Sequence, residues 1–255
     1  MDIKIIYEDD SVMVVDKPAG VVVFCEAPAE AQRAKEGQTY LIDELIKKYP
    51  ELKNAGEAPR YGVAHRLDKD TSGVLLVAKS TEALIFLQKQ FSAQSGSASG
   101  GKNSQTLEKN VEKRYIALVE GNVKDDAGMI HTLVGRSKKD FRKQRAYSLS
   151  ETGAGKREAI TEYQVLNRYK DYTLLEVEIK TGRRHQIRCH FSYLKHPVAG
   201  DKLYAFKNSK FPEGLTRQFL HAQKLKIQLP NGKTEEFISE LPEELKQVIN
   251  NLARQ

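Results

Sequence analysis

A chain of 255 residues, 40% of them hydrophobic, is long and apolar enough to bury a substantial core as one large domain or two small ones. Its formal net charge of +7 favours a polyanionic partner, nucleic acid before membrane, over charge that serves only solubility. Two cysteines far apart, Cys25 and Cys189, exclude a disulfide framework and a zinc knuckle; an acidic N-terminus and no apolar run of spanning length exclude a signal peptide and a membrane helix, so a cytoplasmic protein with reduced thiols is expected.

In chain order, "IKII" (3–6) and "VMVVD" (12–16), separated by the turn-forming "EDDS", predict a hairpin that Pro18 and Gly20 end. Residues 24–38 lack a period and read as a loop, after which Thr39 caps a helix with Leu41, Leu45, Ile46 and Tyr49 on one face. "GVLLVAK" (73–79) is a strand by its length, and "STEALIFLQKQF" (80–91) opens on a capping pattern and reads as a helix. The low-complexity tract at 92–105 is expected to be a mobile surface loop. "KRYIALVEG" (113–121) and "TLLEVEIKTG" (173–182) read as strands, the second alternating Leu175, Val177 and Ile179 with acids. "RRHQIRCHFSYLK" (183–195) predicts a helix stopped by His196 and Pro197. "LKIQLPNGKTEEFIS" (225–239) is a hairpin by its Pro-Asn-Gly turn, and 243–252 is an amphipathic helix through Leu245, Val248, Ile249 and Leu252. Strands and helices mingle without the alternation of a parallel doubly wound sheet, so a single, mainly antiparallel α+β domain over 1–255 is expected.

Four clusters could carry chemistry. "HRLDKDTSG" (65–73) sets a His, an Arg and two Asp against the mouth of a buried strand, where charge must be paired or used. Asp68 and Asp70 share a side only in an extended backbone; in a turn, Asp70, Thr71, Ser72 and Gly73 make local hydrogen bonds, and spacing alone favours the turn. "TGRRHQIRCH" (181–190) puts Arg184 and Arg188 on one face if the helix has begun there, and an arginine beside a carboxylate keeps it ionised. His185 and His190, five apart, are poorly spaced for two metal ligands on a helix. Tyr115, at a strand start, reads by itself as a core or interface residue. "GRSKKDFRKQRAY" (135–147) gathers Arg136, Lys138, Lys139, Arg142, Lys143 and Arg145 around Phe141, which makes either a solvated hairpin or a phosphate clamp.

These clusters, with "VVDKPAG" (14–20), "HPVAGDKLY" (196–204) and "LHAQKL" (220–225), stand in the order found in the RluA-type family of RNA pseudouridine synthases, which the chain resembles over nearly its whole length. The resemblance implies a mixed, largely antiparallel central sheet with flanking helices and loops, and an RNA substrate, ribosomal or transfer, modified without cofactor or metal. It implies Asp68 as the catalytic carboxylate, acting as nucleophile or base. Arg188 is then the arginine that pairs with that carboxylate, and Tyr115 the tyrosine that stacks on uracil near the late proton removal from carbon 5. Arg66 resembles the residue that fills the space left by a flipped base. Arg66, Arg136, Arg142, Lys143, Arg145, Arg184 and His185 form the expected RNA-binding set. A monomer with no obligatory protein partner is expected. The chain reads as the catalytic domain alone, with a longer Ser/Gly tract than the family pattern. The rivals are a non-catalytic RNA-binding module, such as a ribosome assembly factor, and a metal hydrolase built on His65, His185 and acids, for which no tight ligand motif exists.

Overall fold

The computed structural model of the chain describes residues 1, 3–25, 39–94 and 111–252. Its strands are β1 (Lys4–Glu8), β2 (Val12–Lys17), β3 (Ser72–Ala78), β4 (Glu112–Glu120), β5 (Ala127–Arg136), β6 (Gln144–Tyr147), β7 (Arg157–Arg168), β8 (Tyr172–Ile179), β9 (Leu220–Gln228) and β10 (Thr234–Ile238). Its α-helices are α1 (Leu41–Lys48), α2 (Thr81–Gln94), α3 (Gln186–Tyr193) and α4 (Glu243–Leu252). The described residues divide into two compact units, one from the N-terminal part with Lys224–Ser239, the other from Glu112–Gln223 with the C-terminal helix.

In the first unit β1, β2 and β3 pair antiparallel in that order, and β10 pairs antiparallel with β9 from Lys224 to Gln228. Every residue of β3 is buried, so its sequence is a continuous apolar run rather than an alternating one. Val74 and Leu76 join Val12, Val14, Leu225 and Ile227 in a core closed by Ala83, Leu84 and Leu87 of α2. Ser80 Oγ accepts the Ala83 N–H at 3.1 Å, the cap expected at the head of that helix.

Helix α1 starts differently from the expectation. Its N-cap is Tyr40, without a side-chain cap, because the carbonyls of Val22 and Val23 receive the Leu41 and Ile42 N–H groups at 2.9 and 3.0 Å. Thr39 is left without that task.

In the second unit the strand order is β4-β8-β7-β5-β6, antiparallel at each step. Leu175, Val177 and Ile179 are buried along β8, as its alternation requires. Leu245 and Val248 of α4 pack with Ile116, Leu118 and Phe219. The segment after α3 is laced to β4: Glu120 N–H donates to Pro197 O at 2.9 Å and Ala199 N–H to Leu118 O at 2.8 Å.

Helix α3 is shorter than expected at both ends. His185, at φ 53°, stands as its N-cap in the left-handed region, and Gln186 Oε1 takes the Arg183 N–H at 2.9 Å and the Thr181 hydroxyl at 2.8 Å. Arg184 therefore precedes the helix and does not share a helical turn with Arg188. At the other end Lys195, at φ 70°, reverses the chain while His196 N–H returns to Phe191 O at 2.9 Å, a stop made one turn before Pro197.

Of the expected loop at 92–105, residues 92–94 continue α2 and the rest lie outside the described residues, as do 26–38 of the first loop. Among the described residues no helix is long and apolar enough to cross a membrane. Antiparallel pairing with helices interspersed in both units is the α+β architecture expected.

Candidate active site

The charged segment at 65–73 lies in the first unit, and it is both a turn and a constructed feature. Thr71 N–H donates to Asp68 O at 3.1 Å, closing a turn that leaves Asp68 half-buried and Asp70 exposed. Beneath it, Lys17 is wholly buried at the end of β2. Its Nζ donates to Pro18 O and Val21 O, both at 2.8 Å, and to Lys69 O at 3.0 Å. An ammonium removed from water requires such partners. Gly20 N–H adds a second bond to Lys69 O at 2.9 Å, so the residue next to Asp68 is pinned to the 18–21 loop by two donors. His65 Nε2 accepts the Leu76 N–H at 3.0 Å, and its ring lies 4.9 Å from that of Phe91. That acceptor role places the imidazole proton on Nδ1 and leaves the Nε2 lone pair engaged. Arg66 sits with its guanidinium carbon 5.8 Å from the Phe24 ring.

Tyr115 lies in the second unit, on β4, buried and in register with Val177 of β8. Two residues earlier, on the same face, Lys113 is buried; desolvation, with the charge of Arg183, lowers its ammonium to about 8. A Cβ on Gly182 would stand 3.5 Å from Lys113 Nζ.

Arg188 projects from α3 and is buried with Asp201. Nε meets Oδ2 at 2.6 Å and Nη2 meets Oδ1 at 2.9 Å, a two-point pair that takes one donor edge of the guanidinium. Asp201 is in turn held by the Leu203 and Tyr204 N–H groups, which donate to Oδ1 at 2.9 and 3.0 Å. The turn into Asp201 needs glycine: Gly200 has φ +75°, and a Cβ there would lie 2.1 Å from Arg217 O. The Tyr204 ring lies 5.1 Å from the guanidinium carbon of Arg188. Its hydroxyl accepts the Gln144 N–H at 2.6 Å and meets His185 Nδ1 at 3.1 Å.

Farther along α3, His190 is fully buried between two hydroxyls, Thr132 at 2.9 Å from Nε2 and Thr161 at 2.8 Å from Nδ1. Burial, with the charge of His131, lowers its imidazole to about 4. Among the described residues no group of three His, Cys, Asp or Glu side chains could hold a metal ion. Cys189 is buried, which pushes its thiol up to about 12 and makes it a poor nucleophile.

The basic run is a hairpin. β5 and β6 pair from Leu133 with Tyr147 to Arg136 with Gln144, and Phe141 stands 72% exposed at its turn. Arg142 grips Asp140 through Nε at 3.0 Å and Nη2 at 2.8 Å. Arg145 lies 4.9 Å over the Tyr147 ring, and Lys143 Nζ lies 5.8 Å from the Tyr204 ring centre.

Of the expected site residues, the second unit thus brings Arg188, His185 and Lys143 around Tyr204, while Arg66 and Asp68 belong to the first unit. Lys17, Asp201 and Tyr204 received no role from spacing, although "VVDKPAG" and "HPVAGDKLY" contain them. The signal was their position beside motif glycines and prolines, where a polar side chain serves to tie down irregular backbone.

A family model described as RNA pseudouridylate synthase matches residues 11–193. A Bacillus subtilis (strain 168) protein named as an uncharacterized RNA pseudouridine synthase, YlyB, is 36% identical over 255 residues, covering 100% of this chain and 74% of its own. A protein of Borreliella burgdorferi named ribosomal large subunit pseudouridine synthase D is 35% identical over 240 residues, covering 94% of this chain and 65% of its own. A relative from Aquifex aeolicus is 40% identical and is spanned over 59% of its length, so the chain is shorter than these relatives. The solved structure of human RNA pseudouridylate synthase domain containing 1 shares the fold, with TM-score 0.69, 22% identity and coverage of 100% of this chain and 96% of that one.

Proposed function

Because the chain belongs to the RNA pseudouridylate synthase family, we propose that it isomerises uridine to pseudouridine in RNA, with Asp68 as the catalytic carboxylate. The observation that carries the reading is that Asp68, Tyr115 and Arg188 all fall within residues 11–193 matched by the family model. In the reaction the bond from ribose C1′ to uracil N1 breaks, the base turns, and C1′ joins C5; the proton on C5 departs and N1 gains one. Nothing is oxidised and no group is taken from a donor, so the reaction calls for no cofactor.

Arg188 is the cation that keeps the reacting carboxylate charged, and the Asp201 pair presents its guanidinium in one fixed plane. Tyr115 stacks on the uracil and stands near the final proton removal. Arg66 occupies the space of the flipped nucleotide, whose extrusion costs a few kcal/mol. Arg184, His185 and the hairpin residues Arg136, Arg142, Lys143 and Arg145 hold the RNA backbone. The relatives named for the large ribosomal subunit make large-subunit ribosomal RNA the first substrate to try, before transfer RNA. The protein acts as a monomer in the cytoplasm.

The test is tritium release from RNA carrying 5-tritiated uridine, alongside filter binding. Asp68→Asn is expected to abolish release while RNA affinity stays within a few-fold, because charge is lost and shape kept. Tyr115→Phe is expected to slow product formation with stacking retained. Substantial turnover by Asp68→Asn removes Asp68 from the mechanism. A wild-type protein that binds RNA tightly yet leaves every uridine unchanged is an RNA-binding module instead.

A further inference from the structure

We propose that Tyr204 is a positioning residue that transmits RNA docking on the β5–β6 hairpin to the guanidinium of Arg188; the idea rests on the pseudouridine synthase reading. Tyr204 is buried and touches both partners. Towards the hairpin, its hydroxyl accepts the N–H of Gln144 at 2.6 Å, and Gln144 is the first residue of β6, directly after the basic turn. Lys143, the last residue of that turn, holds its ammonium 5.8 Å from the ring centre. Towards α3, the same ring lies 5.1 Å from the Arg188 guanidinium carbon, and the Tyr204 N–H donates to Asp201 Oδ1 at 3.0 Å. That oxygen also receives Arg188 Nη2 at 2.9 Å. The Tyr204 carbonyl accepts from Ser192 Oγ of α3 at 3.1 Å.

A shift of Tyr204 therefore moves two things at once: the ring beside the guanidinium and the backbone that fixes its carboxylate. A side chain that only filled space would not aim its hydroxyl at the first N–H of a hairpin strand. Two cations, Lys143 and Arg188, are within reach of the negative face of this one ring. A phosphate that draws Lys143 towards it relieves their repulsion and leaves the ring to Arg188. His185 joins the same hydroxyl through Nδ1 at 3.1 Å, so a second member of the expected RNA-binding set reaches the same point. Burial raises the phenol above its ordinary range, and it stays neutral with its hydroxyl hydrogen in place.

Tyr204→Phe keeps the ring and removes the hydroxyl. With RNA saturating, its single-turnover rate should fall about 10- to 100-fold, since small displacements of a catalytic group cost that much, while RNA affinity stays within a few-fold. Replacing Arg142, Lys143 and Arg145 by Ser should slow the same step, and the combined variant should be no slower than the slower parent, the mark of one pathway. Effects that multiply overturn the proposal, as does an unchanged rate in Tyr204→Phe.

The Arg188 Nε–H resonance supplies a readout besides activity. Saturating uridine-rich RNA should shift it in the wild type and not in Tyr204→Phe or the hairpin variant; equal shifts in all three overturn the coupling. Because the hairpin substitutions lie on exposed or half-buried residues, that comparison stands even if Tyr204→Phe folds poorly. A wild type that forms no pseudouridine yet shows the Tyr204-dependent shift sinks the functional reading alone. Conversion with no such shift sinks the coupling alone.

Discussion

Arg188 and Asp201 form a buried two-point ion pair, 2.6 and 2.9 Å at its two contacts, between a helix and the loop that follows it. Asp201 serves four donors with two oxygens, counting the Leu203 and Tyr204 N–H groups. The pair therefore fixes loop and guanidinium together, and removing either charge takes a buried ionic contact from the other.

Asp201→Asn is expected to destabilise the protein by about 3–5 kcal/mol, the usual consequence of breaking a buried pair by deleting one partner. The amide oxygen can still accept from Leu203 and Tyr204, so the loss should come from the buried guanidinium's weakened two-point contact. Urea unfolding measures it, and a change below about 1 kcal/mol would show that the pair behaves like a surface contact.

On the hairpin, replacing Arg142, Lys143 and Arg145 together by Ser should flatten the slope of log affinity against log salt by about two units, at about 0.7 for each phosphate contact in single-stranded RNA. Arg142 already has an internal partner, since its guanidinium holds the Asp140 carboxyl down to about 2; phosphate must compete with that carboxylate. Binding measured across a salt series decides the matter. Parallel slopes for the two proteins would make the basic run a solvated face.

His190 should stay neutral far below the range of an ordinary histidine. Its imidazole is lowered from 6.5 to about 4 by burial and by His131. As pH falls below 6.5 the unfolded chain binds a proton that the native protein refuses, so this contribution to stability is whole above pH 6.5 and is lost on acidification, by about 3 kcal/mol near pH 4. Its ring carbon and nitrogen shifts in an NMR titration should show a midpoint near 4. A midpoint near 6.5 contradicts the buried, doubly engaged ring.

What could be read from the sequence was whatever repeats with a period or sits in a turn of fixed chemistry. The alternation of Leu175, Val177 and Ile179 located β8, and Pro230-Asn231-Gly232 located the turn of the last hairpin, because side-chain burial and turn geometry are local. The start of α1 escaped because its cap is made by carbonyls of Val22 and Val23, each nineteen residues before the N–H group it receives. The start of α3 escaped because a helical spacing of arginines does not reveal that His185 is left-handed or that Gln186 folds back on Arg183. The proposed roles of Asp68, Tyr115 and Arg188 came from ordered motifs and not from spacing, which by itself left Asp68 in a turn and Tyr115 in a core. Asp201 as the partner of Arg188 was out of reach, since that pairing depends on a loop laced to β4 by backbone hydrogen bonds that carry no sequence signature.

The amine of Lys17 is bound to three carbonyls, one of them that of Lys69 beside Asp68. An acylating reagent needs a free, deprotonated amine, so Lys17 can react only while the 18–21 loop and the Asp68 segment have parted. Its rate of acetylation, set against that of exposed lysines such as Lys138 and Lys139, is a built-in clock for how often the segment carrying Asp68 comes loose. A substrate that tightens that segment should slow the clock without touching the lysine at all.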